Sequence, residues 1–161
     1  MKRIVADTGP LNYLIQVEGI GHLPGLFQNL VLPQGVLQEL QSPGAPAIVQ
    51  DWVRDLPPWA EVEDVEIGTI PGFRGLSDTD LQVLAAGVEL GAPVLLDDLA
   101  ARTAARSLGI PVIGTLGVLE LAAAKGLVSL PEMLARLKQT NIHLSERLYR
   151  EALFRDAERK G

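Results

Sequence analysis

"APVLLDDLAARTAARSLGIPVIGTLGVLELAAAKG", residues 92–126, is the stretch that decides the fold. Val94, Leu95 and Leu96 make a short apolar run that ends on two carboxylates, Asp97 and Asp98. "LAARTAARSLG" (99–109) then reads as a helix, "IPVIG" (110–114) as a second short buried strand, and "TLGVLELAAAKG" (115–126) as another helix. Strand, helix, strand, helix is the pattern of a parallel sheet, because parallel neighbours need a crossover and a helix supplies it.

The same alternation runs outward from there. "LSDTDLQVLAAGVELG" (76–91) carries Leu81, Leu84, Ala85 and Val88 at i, i+3, i+4 and i+7, which predicts a helix buried on that face. At the other end of the chain, "KRIVAD" (2–7) reads as a strand, and Pro10 is placed to open a helix through "LNYLIQV" (11–17). Gly19 and Gly21 break that helix before a short helical piece near "HLPGLFQ" (22–28). "LVLP" (30–33) is a further strand, followed by a helix over "QGVLQEL" (34–40) with Val36, Leu37 and Leu40 inward. "APAIVQDWVRDL" (45–56) is helical until Pro57-Pro58 stops it. "AEVEDVEI" (60–67) alternates as a strand exposed on one side, residues 68–76 are a Gly- and Pro-rich loop, and two helices close the chain at about 130–139 and 145–158. The expectation is one α/β domain over residues 1–161: a mainly parallel sheet of about five strands with helices on both faces.

Composition narrows the chemistry. Nearly half of the 161 residues are hydrophobic but only seven are aromatic, so aliphatic side chains must fill the core. The absence of cysteine excludes disulfides, thiolate metal sites and a cysteine nucleophile. His22 and His143 are too few and too separated for a zinc site, and read as surface or turn residues. No apolar run reaches the ~20 residues of a membrane span, and no signal-peptide pattern opens the chain. A cytoplasmic protein is the expectation. The net charge of −6 is uneven: residues 1–80 hold four basic and eleven acidic side chains, residues 81–161 ten and nine. The first half suits a cation, and the arginines of the second half suit an anion.

In open parallel sheets, ligands bind beyond the carboxyl ends of the strands. Asp7 stands at one such end, and Asp97 and Asp98 at another. Glu39 flanks the apolar stripe of the helix after "LVLP", and Asp78 and Asp80 occupy the first turn of the next long helix. Acids gathered this way raise one another's pKa unless a divalent cation holds them. Oxygen ligands without histidine or cysteine point to Mg²⁺ or Mn²⁺. Each acid also has a structural reading. Ser77-x-x-Asp80 is a capping-box pattern, acids in a first turn suit the helix dipole, and Asp97 or Asp98 suits an N-cap. Glu39 reads equally as a solvated helix residue. Asp7 has the weakest structural alternative.

"VADTGPLNYL" (5–14), "VLPQGVLQEL" (31–40), "LSDTDLQVLAAGVELGAPVLLDD" (76–98) and "GIPVIGTLGVLELAAAKGLV" (109–128) together resemble the successive blocks of a PIN-domain nuclease. The chain is most similar to the VapC-like toxin group, in a branch with the "GTLGVL" segment. The resemblance covers about residues 3–128, leaving 129–161 as C-terminal helices. It implies a three-layer α/β/α fold and a metal-dependent ribonuclease, a hydrolase of RNA phosphodiesters. An antitoxin protein and a second copy of the chain are the further partners it suggests. Asp7 matches the strand-end aspartate, Glu39 the helix glutamate, and Asp97-Asp98 the later pair, with Asp98 as the ligand. Relatives of that branch often carry Gly-Glu where this chain has Ser77-Asp78, and other branches place an aspartate where Asp80 falls. The expected catalytic and metal set is therefore Asp7, Glu39, Asp80 and Asp98, with Asp78 and Asp97 as additional acids.

Carboxylate-held metal would activate water for in-line attack on a phosphodiester. Thr8 and Thr115 offer hydroxyls to orient water or phosphate, although Thr115, after Gly114, also reads as a helix N-cap. Arg102 and Arg106, one helical turn apart, suit a substrate phosphate or simply an exposed helix face. The charged C-terminal helix reads as solvated ion pairing. A phosphotransfer domain fits poorly, because no acid stands two residues after Asp7 and no lysine follows "PVIGT". A catalytically idle PIN-like module that binds RNA or protein is the remaining alternative.

Overall fold

Ile4, Val5 and Ala6 are shielded from solvent and form the strand β1 (Arg3–Ala6) at the centre of the sheet. The computed structural model describes residues 3–68 and 70–161. Lys2 at the head of the expected first strand, and Thr69 in the expected loop, lie outside the described residues. Four more strands follow: β2 (Asn29–Pro33), β3 (Ala60–Glu63), β4 (Val94–Leu95) and β5 (Val112–Ile113). All four pairings are parallel, in the order β3-β2-β1-β4-β5.

Among the described residues eight α-helices supply the crossovers and the tail: α1 (Thr8–Gln16), α2 (Gln34–Leu40), α3 (Ala47–Arg54), α4 (Asp78–Leu90), α5 (Leu99–Ser107), α6 (Thr115–Ala124), α7 (Leu130–Leu137) and α8 (Glu146–Lys160), with a 3-10 helix at Ile20–Gly25. The chain steps outward from β1 to β2 to β3, then returns through α4 to β4 on the other side of β1 and steps on to β5. Right-handed crossovers in opposite directions put their helices on opposite faces. α1 packs with α3 and α6 in one layer; α4 lies across β1, β2 and β4 and meets α5 in the other. The result is the expected α/β/α arrangement around a five-stranded parallel sheet. The reversal of strand order falls between β1 and β4, where an open sheet leaves a crevice at its carboxyl edge.

Three expectations need correction. The strand expected at 60–67 ends at Glu63, because its only partner, β2, ends at Pro33 opposite it. Beyond that pair nothing remains to receive a ladder hydrogen bond. In α4 Leu84 and Ala85 are buried as expected, but Val88 is exposed, and Thr79, Val83, Ala86 and Gly87 are buried beside them. The cause is close packing on β4: a Cβ on Gly87 would stand 2.8 Å from Val94 Cγ1, so the small residues face the sheet. Finally, α1 opens at Thr8 with Asp7 as its N-cap residue, and Pro10 sits inside the first turn, where its missing N–H has no intrahelical partner to lose.

The core is aliphatic, with Leu14, Leu30, Leu32, Leu84, Leu95 and Leu96 among its fully buried side chains. Among the described residues no helix is long and apolar enough to cross a membrane.

Candidate active site

Two tight links build the carboxyl edge. The Asp7 backbone N–H donates to the carbonyl of Leu95 at 3.1 Å, so the end of β1 is held against the end of β4. The chain then turns into α1, which leaves the Asp7 side chain at the rim, only partly exposed. Burial pushes its carboxyl up from 3.8 to about 7. The adjacent Thr8 N–H opposes this, and the charges of Asp80 and Glu39, with the hydrogen-bonding influence of the Asp80 side chain, reinforce it. Asp7, Glu39 and Asp80, from three separate segments, therefore meet electrostatically.

Glu39 is exposed but not loose. Thr8 Oγ1 donates to its Oε1 at 2.8 Å, and Thr79 Oγ1 donates to its Oε2 at 2.6 Å. Hydrogen bonds to an ionised carboxylate are the stronger kind, and here they join the first turns of α1 and α4 to α2. Gly35 lets α4 come so near: its N–H donates to Gln82 Oε1 at 2.8 Å, and a Cβ there would stand 2.8 Å from Thr79 Oγ1. Thr79, Gln82 and Gly35 escaped the sequence reading. The signal available for Thr79 was its place between the two candidate acids in "SDTD".

Asp80 also completes a capping box. Its N–H donates to Ser77 Oγ at 3.1 Å, and its Oδ2 accepts from the Ser77 N–H at 3.0 Å. Asp78 is exposed in the same turn. The adjacent acids just beyond β4 take different partners. Asp98 is the N-cap of α5, accepting from the Ala101 N–H at 3.1 Å. Asp97 accepts from the Thr115 N–H at 2.8 Å and the Thr115 hydroxyl at 2.6 Å. Thr115 is thus not the cap of α6. Gly114 occupies the cap position without a side chain, and Asp97 supplies the acceptor from a neighbouring strand. Two consecutive aspartates tie down the starts of two helices.

Gly114 is needed where it stands, because a Cβ would fall 2.8 Å from Arg102 Nη1 and 3.0 Å from Asp97 Oδ1. The half-buried Arg102 guanidinium therefore lies over the same corner, whereas Arg106 is exposed on the last turn of α5. Tyr13 faces this corner from α1, and burial, then the Asp97 charge, raise its hydroxyl above 10.0. The C-terminal helix pairs its charges as expected: Arg147 with Glu151, Arg155 with Glu120 on α6, and Arg159 and Lys160 with the buried Asp156.

From Thr8 and Glu39 a groove of about 640 Å³ runs between α1, the loop after α2 and the segment after α7. Among the described residues no three acidic or histidine side chains stand close enough together to hold a metal ion. The strongest carboxylate influence on Asp7 comes from Asp80. Their donor chemistry, two carboxylates with a third charge in range, fits a hard divalent cation.

A parallel sheet with an acidic carboxyl edge and helices on both faces defines a three-layer α/β/α protein. The sequence matches the family described as DUF3368, PIN domain, over residues 3–158, and the chain belongs to that family. PIN domains are usually metal-dependent nucleases. The match runs on past residue 128 through both C-terminal helices. Among solved structures, the chain is similar to a PilT N-terminus domain protein from the hyperthermophilic archaeon Sulfolobus solfataricus P2, at 14% identity and TM-score 0.49 over 90% of this chain and all of that one. No curated protein matches the sequence.

Proposed function

We propose that the protein is a metal-dependent endoribonuclease, with Asp7 and Asp80 as the core of a Mg²⁺ or Mn²⁺ site and Glu39 and Asp98 completing it. The observation that carries this reading is the Asp7 carboxyl at the carboxyl end of β1, pushed to about 7 by burial and by the charges of Asp80 and Glu39. Burying acids against one another costs stability, and a cation recovers that cost. When bound, the metal would supply an activated water and charge stabilisation for phosphodiester hydrolysis. The chain's own residues do the rest. Thr8 and Thr79 hold Glu39 in one orientation, Asp97 and Thr115 set the start of α6, and Arg102 offers a charge to a substrate phosphate. Residues 1–161 are taken as one cytoplasmic PIN-like domain acting on RNA. The VapC-like resemblance further suggests a toxin with an antitoxin partner, and a homodimer.

A second reading, a catalytically idle RNA- or protein-binding module, is favoured by the absence of a three-acid cluster among the described residues. RNA cleavage with and without Mn²⁺, in wild type and Asp7→Asn, separates the two. Metal-dependent cleavage lost in the variant supports the nuclease. RNA binding without cleavage at any metal concentration supports the idle module. A melting temperature that rises with Mn²⁺ in wild type but not in Asp7→Asn is the matching physical readout.

A further inference from the structure

Four side-chain amides meet in the groove beside Glu39. Thr8, Asn12 and Gln16 recur every four residues, so they form one stripe on a single face of α1. Gln139 and Asn141 reach the same groove from just past the end of α7, more than a hundred residues away. The side-chain hydrogen bonds at the groove walls are made by Thr8, Gln50 and Thr140 instead. That leaves all four amides free among the described residues.

The walls are set in advance. Gln50 Nε2 donates to the carbonyl of Ala45 at 2.7 Å and of Pro43 at 3.2 Å, which holds the loop opposite α1. Thr140 Oγ1 donates to the Leu137 carbonyl at 2.6 Å and accepts from the Ile142 N–H at 3.3 Å, which holds the segment bearing Gln139 and Asn141. Leu40, Pro46 and Val49 give the groove an apolar flank.

Among the described residues no lysine or arginine lines this groove, and Glu39 is its only charged residue. A nucleic-acid backbone would find no counter-charge there. Carboxamides, by contrast, carry both donor and acceptor and match the edges of unpaired bases. The volume lies within the roughly 300–1,000 Å³ typical of small-ligand clefts, and an apolar wall suits the face of a base. We propose that this groove is a base-reading subsite for single-stranded RNA, seating the nucleobase next to the phosphate that reaches Asp7. The proposal rests on the ribonuclease reading above.

The test uses metal-free protein in EDTA, titrated at two salt concentrations with fluorescent hexamers of A, C, G and U ribonucleotides. The proteins are wild type, Asp7→Asn, Gln16→Leu, and a double variant Gln139→Ala with Asn141→Ala. Both residues of the double variant are exposed, so it should leave the fold and melting temperature intact. Wild type should prefer one hexamer by about three- to tenfold, the ratio that one or two neutral hydrogen bonds are worth. The double variant and Gln16→Leu should lose that preference without a change in salt dependence, and Asp7→Asn should keep it. A folded double variant with wild-type preference overturns the subsite. So does wild type that cleaves RNA yet binds all four hexamers equally. Selective binding without cleavage at any metal concentration overturns the nuclease reading and leaves the subsite standing. Failure to bind any hexamer, with capture of a peptide ligand in the groove instead, overturns the subsite in favour of a protein partner.

Discussion

Thr79 on α4 donates to Glu39 on α2 at 2.6 Å, across 40 positions of sequence. With Thr8 on the other carboxylate oxygen, this bond fixes a glutamate that its exposure alone would leave free to rotate. The starts of α1 and α4 are thereby locked to the last turn of α2 around the rim where Asp7 sits.

Thr79→Val keeps the shape of that contact and deletes the donor. We expect a loss of about 1–2 kcal/mol in urea denaturation, the worth of a partly buried bond to a charged group, and slower RNA cleavage. Thr79→Ser should retain most of both. Gly35→Ala attacks the same junction from below and should cost about 1–3 kcal/mol through overpacking.

Asp7 makes metal-free stability fall as pH rises. Its folded value of about 7 stands above the 3.8 of the unfolded chain. Between those values the unfolded chain has already released a proton that the folded one still holds, so ionisation favours unfolding; above about 7 the penalty is complete. Each unit of separation is worth about 1.4 kcal/mol. In EDTA, the melting temperature of wild type should drop from pH 5 to pH 7.5, and Asp7→Asn should flatten this drop. Equal slopes in the two proteins would place the titration on another group.

Asp78 and Asp80 are separated by their contacts. Asp80 acts on the Asp7 carboxyl and helps to raise it, whereas Asp78 is exposed. Asp80→Asn should abolish cleavage, while its amide oxygen can still accept from the Ser77 N–H. Asp78→Asn should keep activity and shift stability by no more than about 0.5 kcal/mol. Cleavage that survives Asp80→Asn but not Asp78→Asn reverses the assignment.

Asp97 and Asp98 each tie down a helix start, and Asp98 is in addition the proposed metal ligand. Asp97→Ala leaves the buried Thr115 hydroxyl without its acceptor and should cost about 1–3 kcal/mol. Asp98→Asn retains a cap acceptor, so the fold should hold within about 1 kcal/mol. A Mn²⁺-induced rise in melting temperature that disappears in Asp98→Asn assigns it to the metal; a rise that persists leaves it as the cap of α5.

Much of the fold was legible because it is written in local patterns. Short apolar runs ending at Asp7 and Asp97, and breakers such as Gly91, Gly109 and Pro57-Pro58, mark where each element begins or stops. Leu84 and Ala85 lie inward as their spacing implies, but Val88 does not, because helical periodicity names a face without saying what packs on it. The fit of Gly87 against Val94 turned the buried face toward Val83 and Gly87. Likewise, residues 64–67 have a strand's alternation but no neighbouring strand to pair with.

By itself, the sequence determined the order of strands and helices and the supply of acids at element ends, since turn chemistry and hydrophobic spacing act over a few residues. Only the tertiary structure decided which acids meet. Asp7, Glu39 and Asp80 converge because strand order β3-β2-β1-β4-β5 brings α2 and α4 to the end of β1. Asp97 was drawn to Thr115 because β4 and β5 are neighbours. Partners 18 to 73 residues apart are chosen by chain crossings and close packing, and no local pattern encodes those.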